Sequence, residues 1–407
     1  MPVYDLIIIG AGAAGLFAGA LSAQSDKLRK VLILEKNSKP GVKILLSGNG
    51  QCNFTHNAAP ADFVKHYGDK SNAVKHVIYN LTSDNLIKYF QDNGIDPFIR
   101  EDDKVFPASM KAEDIRNLLL NKIETAGIEL KYSQNIIELC KHEDIFTIKT
   151  SRTSYQSKRL LIASGGLSYL MTGTNWNAFE LIEGLGHKIV PLKPALCPPK
   201  IKDFIYASLM GISFKDISMT LKKADNKKKH FQGDMLFTHF GVSGPLVLDA
   251  SRYFDKGDKL IFNFTPFAKF QDFTHDFVKL MKRNPKKIIR NILSFYPIPA
   301  ALILIVMQKL NIPITADVYN ISNKKLDKLL EALFYFELEI LEPGSYNIAM
   351  ATSGGVDLKE INMKTMESKL ITNLYFAGEV LDVDGDTGGY NIHFAFASAY
   401  TAINSIK

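Results

Sequence analysis

"YDLIIIGAGAAGLFAGALSAQSDKLRKVLILEK", residues 4–36, is the stretch on which the fold turns. "YDLIII" (4–9) is an unbroken apolar run closed by glycine. That is the pattern of a strand buried on both faces, as in a parallel sheet. "AAGLFAGALSAQ" (13–24) follows as a small-residue helix, and "KVLILEK" (30–36) is a second buried strand. A β-α-β opening predicts an α/β sheet with right-handed crossovers. Gly10, Gly12 and Gly15 form G-x-G-x-x-G between the first strand and the helix. The first permits the tight turn, the second lets backbone approach a pyrophosphate, and the third lets helix and strand pack closely. Ala13 and Ala14 open the helix, whose free N–H groups and positive dipole end face the phosphates. Glu35 ends the second strand about 20 residues on, where a carboxylate holds a ribose hydroxyl and disfavours a 2′-phosphate.

The chain around this motif has 407 residues, 46% hydrophobic and 22% charged, enough for two or three domains with full cores. The formal charge is +7, and lysines cluster in "KKADNKKKH" (222–230) and "KRNPKK" (282–287). These read as solvated hairpin tips and helix ends, so nucleic acid is not an expected partner; a contiguous basic face would be needed. Three cysteines, Cys52, Cys140 and Cys197, argue against a disulfide framework and fit a reducing, cytoplasmic setting. "MPVYDLIIIG" lacks a basic leader region and a cleavage site. "PIPAALILIVM" (297–307) is too short to span a bilayer and reads as a buried helix, so no membrane association is expected. No CxxC, HxxH or acidic cluster supports a metal site.

Residues 72–94 and 111–126 read as amphipathic helices; 128–133, 135–142, 145–151 and 154–166 read as strands. "PLKPALCPP" (191–199) marks a boundary, with four prolines in nine residues. The layout predicts a discontinuous nucleotide-binding domain, 1–192 and 345–407. An inserted domain, 193–344, lies between, β-rich over 193–265 and helical over 266–330. "GVKILLSGNGQCNFTH" (41–56) begins like a strand and continues as a glycine-serine wall. "LYFAGEVLDVDG" (374–385) is a late apolar strand with Ala-Gly-acid at its carboxyl end, and "GDTGGYNIHFAFASAY" (385–400) supplies a loop and helix. A late element of this kind returns to a flavin, which favours FAD over NAD. The acid, Glu379, would hold ribitol hydroxyls, and the helix would point its N-terminus at the flavin.

"GVKILLSGNGQCNFT", "LLIASGGLSY", "LFTHFGVSGP" and "ATSGGVDLKEINMKTMESKLITNLYFAGEVLDVDGDTGGYNIHFAFASAY" together resemble the BaiN/YhiN-like, or aminoacetone-oxidase-like, FAD-binding flavoprotein family. The resemblance covers nearly the whole chain. It implies a glutathione-reductase-like FAD-binding (Rossmann-type) domain with an inserted β-barrel-like plus helical domain. It also carries FAD contacts onto Gly10, Gly12, Gly15, Glu35, Lys36, Lys43, Ser47, Gly48, Asn53, Gly165, Gly378, Glu379, Asp382, Gly389, Asn391 and Ile392, with backbone contact to the adenine near Ile136. Ala13, Ala14, Ser164, Gly166, Gly388 and Tyr390 stand beside them in the same motifs. Two departures stand out. Val42, Asn49, Gln51 and His56 replace the family's usual residues, and Gln51 in place of arginine removes a fixed cation expected near the reacting end. "TGTNWNAFELIEGLGH" (172–187) lacks the family's Gly-Asp-Gly.

Catalytic candidates are few. Cys52 has no partner cysteine nearby and reads as a small buried residue rather than a charge-transfer thiol. His239 in "FTHFGVSGP" is a candidate pocket acid or base, or else satisfies backbone groups; His393 follows "GGYN" near the expected flavin edge; Gln51 completes the set. These features predict an FAD-dependent oxidoreductase that moves a hydride between flavin N5 and a small organic substrate. A flavin-dependent RNA-modifying or nucleic-acid-associated protein, and an FAD-bound protein without turnover, are the alternatives. With no second G-x-G-x-x-G, electrons come from the substrate or from NAD(P)H visiting the flavin face. Oxidase, dehydrogenase and enoyl-type reductase all stay open, as do substrate and oligomeric state.

Overall fold

A computed structural model describes residues 2–25, 27–174, 176–317 and 320–406. The chain divides into two compact units, 1–196 with 345–407, and Cys197–Gly344.

The first unit is built on a seven-stranded sheet. Its parallel core runs in the order Leu374–Phe376, Leu160–Ile162, Leu6–Ile9, Val31–Leu34, Glu129–Lys131. Leu6, Ile7, Ile8, Leu32, Ile33, Leu160 and Leu161 have no exposed surface. Each such side chain contributes roughly 1.5–3 kcal/mol of burial free energy. The helix Ala13–Ser22 can lie close to this sheet because of its glycines. A Cβ on Gly15 would sit 1.8 Å from the carbonyl oxygen of Gly10, and one on Gly19 would sit 2.6 Å from Ile33 Cδ1. Its outer side meets the C-terminal helix Tyr390–Ser405, with Phe17 and Phe396 rings 4.9 Å apart.

Several segments differ from the sequence reading. Residues 41–56 do not begin as a strand: Val42–Leu46 is a short helix, and Ser47–Gly50 a 3-10 turn. Gly41, Gly48, Asn49, Gly50 and Cys52 all have positive φ, so the chain coils back on itself. Only Ile44 of the apolar run is buried, while Leu46 is 39% exposed. A five-residue stretch with four apolar residues cannot separate strand from helix by periodicity. Residues 154–166 are two strands rather than one. Ser154–Ser157 belongs to a four-stranded sheet, and Leu160–Ile162 to the parallel sheet. Residues 72–94 break into Ser71–Asn80 and Ser83–Asp92, where the Thr82 side chain accepts from Asn85 N–H as an N-cap. Around the proline-rich boundary, Ile189–Ala195 pairs antiparallel with Ala351–Val356, with a register shift between Val190 and Lys193. Pro191 and Pro194 are tolerated because their own strand, Ile189–Ala195, pairs on one edge alone.

The second unit holds a six-stranded antiparallel, barrel-like sheet, ordered Lys200–Ile201, Phe336–Glu342, Lys259–Asn263, Ser213–Lys222, Lys228–Phe237, Val242–Ser243. Its terminal strands approach one another: a Cβ on Gly241 would lie 3.2 Å from both Pro199 O and Ile201 Cγ1. Aromatic rings fill its core, with Phe214 and Phe264 centroids 4.4 Å apart and Phe264 and Phe336 5.1 Å apart. The helices are Pro245–Ala250, Phe270–Arg283, Ile289–Leu293, Ala300–Lys309 and Asn323–Phe334. The apolar run at 297–307 is a buried helix through Leu302, Ile303, Val306 and Met307. Among the described residues no helix is long and apolar enough to cross a membrane.

Candidate FAD site

A cavity of about 400 Å³ runs through the first unit, lined only by residues of that unit. That is the size range of small-molecule and cofactor sites. The first strand ends at Gly10, which has φ +101° and whose Cβ would strike Ala163 O at 2.5 Å. The turn therefore requires glycine. Gly12 differs: its Cβ would meet nothing within 4 Å, so open space lies over the helix N-terminus. Gly10, Gly12, Ala13 and Ala14 line the cavity; Gly15 does not, being packed between helix and strand. Glu35 lines it too, held by N–H donors from Ala11 at 2.7 Å and Asn37 at 2.8 Å. Two fixed donors leave the carboxylate aimed and still able to accept from a ribose hydroxyl. Burial pushes the neighbouring Lys36 ammonium below its ordinary value; Glu35 opposes this and Lys43 adds to it. Ile136 borders the same end, its carbonyl accepting from Asn177 Nδ2 at 2.7 Å.

Lys43, Ser47, Gly48 and Asn53 form one wall; Ser164, Gly165, Gly166, Gly378 and Glu379 form the facing one. A single carboxylate joins the walls. Glu379 accepts from Lys43 Nζ at 3.0 Å, Gly166 N at 3.2 Å, Ser168 Oγ at 2.7 Å and Thr352 N at 2.8 Å. Burial alone would raise its pKa, but the Lys43 charge and the donors from Ser168 and Gly166 outweigh it and hold the group below its ordinary value. Glu379 is thus a latch for the Gly165–Gly166 turn. Two further lining atoms, Asn53 Oδ1 and Ser164 Oγ, are buried without a partner in the protein. Buried polar atoms of this kind call for a polar ligand group. Together with the open space at Gly12 and the aimed Glu35, they fit a dinucleotide.

At the far end, Gly388 (φ +126°) and Gly389 (φ +98°) deliver the chain into the helix Tyr390–Ser405. Gly388, Gly389, Asn391 and Ile392 line the cavity. The Asn391 side chain ties Gly385 through both its N–H (2.8 Å) and its carbonyl (2.9 Å). Besides Gly15, two expected contacts are not in the lining. Tyr390 turns away, its ring stacked on His66 (4.2 Å) and beside His56 (5.1 Å), and Asp382 is buried against Lys70. Burial raises the Asp382 pKa, with Lys70 pulling it down in part.

None of the four catalytic candidates lines the cavity. Gln51 is half-buried just after the 3-10 turn. Cys52 has no exposed surface, and burial pushes its thiol up to about 12, which removes the thiolate a redox role needs. His393 is fully buried: Nε2 donates to Leu81 O at 2.9 Å, which leaves Nδ1 to accept from Thr55 Oγ1 at 2.8 Å. Burial lowers its pKa to about 4, so it is a neutral structural histidine. His239 lies exposed in the second unit, between the strands Lys228–Phe237 and Val242–Ser243. Besides Lys43 and Glu379, Asp386 lines the cavity, and it is bonded at 3.0 Å to His66, which stands behind it outside the lining and is 40% exposed. The sequence placed 320 residues between them and offered no signal. Also unforeseen were Asn177, Ala178, Leu181 and Ile182, from the helix Asn177–Gly184 inside the divergent segment 172–187; residue 175 of that segment lies outside the described residues. Among the described residues no cluster could hold a metal ion.

The profile of the HI0933-like protein Rossmann domain matches residues 4–405. The chain is 29% identical over 409 residues to the ribosomal RNA dihydrouridine synthase of Escherichia coli K12, covering 100% of this chain and 98% of that one. It is 31% identical over 408 residues to the same enzyme of Haemophilus influenzae, covering 98% of each. It is 26% identical over 401 residues to the 3-dehydro-bile acid delta(4,6)-reductase of Clostridium scindens, covering 97% of each. Among solved structures, Escherichia coli quinol fumarate reductase FrdA shares the fold, with TM-score 0.51 and 13% identity over 100% of this chain and 70% of that one.

Proposed function

We propose that this chain, which belongs to the HI0933-like family of FAD-binding Rossmann flavoprotein oxidoreductases, reduces a carbon–carbon double bond conjugated to a carbonyl, and that its substrate is uracil within RNA. The observation that carries the reading is full-length similarity to two ribosomal RNA dihydrouridine synthases. The bile-acid reductase supports the reaction class. Uracil C5=C6 is conjugated to the C4 carbonyl, and a 3-dehydro-Δ4,6 steroid has double bonds conjugated to a 3-ketone. In both, a hydride adds to the carbon remote from the carbonyl and a proton to the carbon nearer it.

FAD, when bound and reduced, supplies the hydride. The open backbone at Gly12 and the helix N-terminus receive the pyrophosphate, and Glu35 orients the ribose. The Lys43–Glu379 latch keeps Gly165 and Gly166 against the cofactor. Asp386, in the cavity lining, bonds Nδ1 of the half-exposed His66, and this pair is the proton source of the reading. NADH or NADPH as electron donor fits a chain with one dinucleotide fingerprint.

The test incubates flavin-loaded protein and reduced nicotinamide with unmodified ribosomal RNA, followed by nucleoside mass spectrometry, and separately with a 3-keto-4-ene steroid. Dihydrouridine formation is the expected result. Reduction of the steroid with no dihydrouridine would remove RNA from the reading; reduction of neither would remove the reaction class.

A further inference from the structure

The net charge of the chain is unevenly placed. Residues 197–344 carry 22 lysines and arginines against 15 acidic residues, whereas the rest carries 27 against 27. The whole excess of +7 therefore belongs to the second unit. Within that unit the two lysine clusters are not equivalent. At the hairpin, Lys223 is paired with Asp255 and Asp258, each at 2.6 Å, and Lys227 with Asp225 at 2.7 Å. The segment from Phe277 to Ala316 contains no Asp or Glu at all. Besides Lys309, it holds Lys279, Lys282, Arg283, Lys286, Lys287 and Arg290, all exposed and none in an ion pair among the described residues.

The first three cations share one stripe of the helix Phe270–Arg283, at i, i+3 and i+4. Lys286 and Lys287 continue it through the connection, and Arg290 opens the helix Ile289–Leu293. Cations in a last helical turn complement the dipole, which accounts for Lys282 and Arg283. It does not account for the other four. Phe295 stands beside them, 53% exposed, with Lys287 Nζ 4.5 Å from its ring centroid. A solvent-facing phenylalanine among unneutralised cations matches what single-stranded nucleic acid requires: charge for phosphates and a ring for a base.

We infer that the 279–295 surface of the second unit binds single-stranded RNA through its phosphates, with Phe295 stacking on a base. The inference rests on the RNA reading above and goes beyond it by assigning the grip to this unit. The probe is a fluorescein-labelled uridine-rich strand of about 12 nucleotides, within the usual site size. It is titrated against the full flavin-loaded chain at several salt concentrations. A joint variant, Lys282→Ala, Arg283→Ala, Lys286→Ala and Lys287→Ala, should flatten the slope of log Kd against log salt by about 3, at about 0.7 per phosphate contact. Phe295→Ala should weaken binding by roughly tenfold with the slope kept. The paired hairpin lysine, changed by Lys227→Ala, should alter neither. Wild-type affinity and slope in the joint variant would overturn the inference. So would binding to phosphatidylserine vesicles but not to the strand. Equal dihydrouridine formation by wild type and joint variant, with equal binding, would sink the surface and leave the proposed function standing. Binding through this surface without dihydrouridine would do the reverse.

Discussion

Replacing Gly12 by valine should separate cofactor binding from folding. The backbone there is extended, at φ −84° and ψ −165°, which valine adopts without strain. A Cβ at this position meets nothing within 4 Å. The protein itself should therefore tolerate the change within about 0.5 kcal/mol, the usual range for substitutions that touch nothing. The new side chain fills the space over the helix N-terminus where the pyrophosphate belongs. Displacing a phosphate from two backbone N–H groups loses about 3–6 kcal/mol, at about 1.5–3 each for charge-assisted bonds. That is roughly two to four orders of magnitude in FAD affinity. Gly15→Ala is the contrast, because its Cβ would lie 1.8 Å from the Gly10 carbonyl oxygen. It should cost several kcal/mol of stability through forced backbone movement. The assay is the flavin-to-protein absorbance ratio of each purified variant, with urea denaturation of the apoproteins. Stoichiometric FAD in Gly12→Val would refute the fingerprint assignment. An apoprotein as unstable as Gly15→Ala would refute the claim of open space.

Lys43→Met should leave the Glu379 carboxylate without its cation and cost about 2 kcal/mol at neutral pH, less than for a fully buried pair because both side chains keep some exposure. Since the folded Glu379 pKa lies below its ordinary 4.5, wild-type stability from this pair is present above that value and lost as pH falls through the folded one; a denaturation series from pH 7 to 3 should show that loss in wild type only. His393 titrates from 6.5 unfolded to about 4 folded, so its contribution is complete above pH 6.5 and falls by roughly 3 kcal/mol on acidification to pH 4. His393→Gln should remove that pH dependence, and an unchanged profile would contradict the buried neutral histidine. At pH 8 a thiol reagent should modify Cys140 in the native protein and reach Cys52 and Cys197 only after denaturant is added. His66→Gln and Asp386→Asn should slow reduction of the double bond about 10²-fold or more and shift its pH profile, while the rate of flavin reduction by nicotinamide stays unchanged; equal losses in both half-reactions would rule out a role confined to the proton.

The nucleotide fingerprint was legible because it is local. Gly10, Gly12, Gly15 and Glu35 lie within one β-α-β unit, where the spacing of the residues is also their spacing in space. The buried strands at 6–9 and 31–34 were legible for a similar reason, since a strand buried on both faces shows an unbroken apolar run. The late acid Glu379 was visible as chemistry, but its role was not. Its partners Lys43, Gly166, Ser168 and Thr352 come from three separate stretches of chain, so only the folded arrangement shows a latch. Residues 41–56 were misread at their start because four apolar residues in a stretch of five fit two periodicities; the short helix they form is flanked by positive φ at Gly41 and Gly48.

The sequence by itself determined the fold class and the β-α-β unit with its G-x-G-x-x-G turn. Each of these follows from short-range pattern and composition. The tertiary structure decided which candidates face the cavity. It buried Cys52 and His393, packed Tyr390 against two histidines, paired Asp382 with Lys70, and set His66 beside Asp386 across 320 residues of chain. It also told apart two lysine clusters that read alike: at the hairpin Lys223 and Lys227 are paired with carboxylates, whereas the cations of 279–290 are in no ion pair among the described residues. Burial and charge pairing depend on what the rest of the chain places nearby, and no local pattern carries that information.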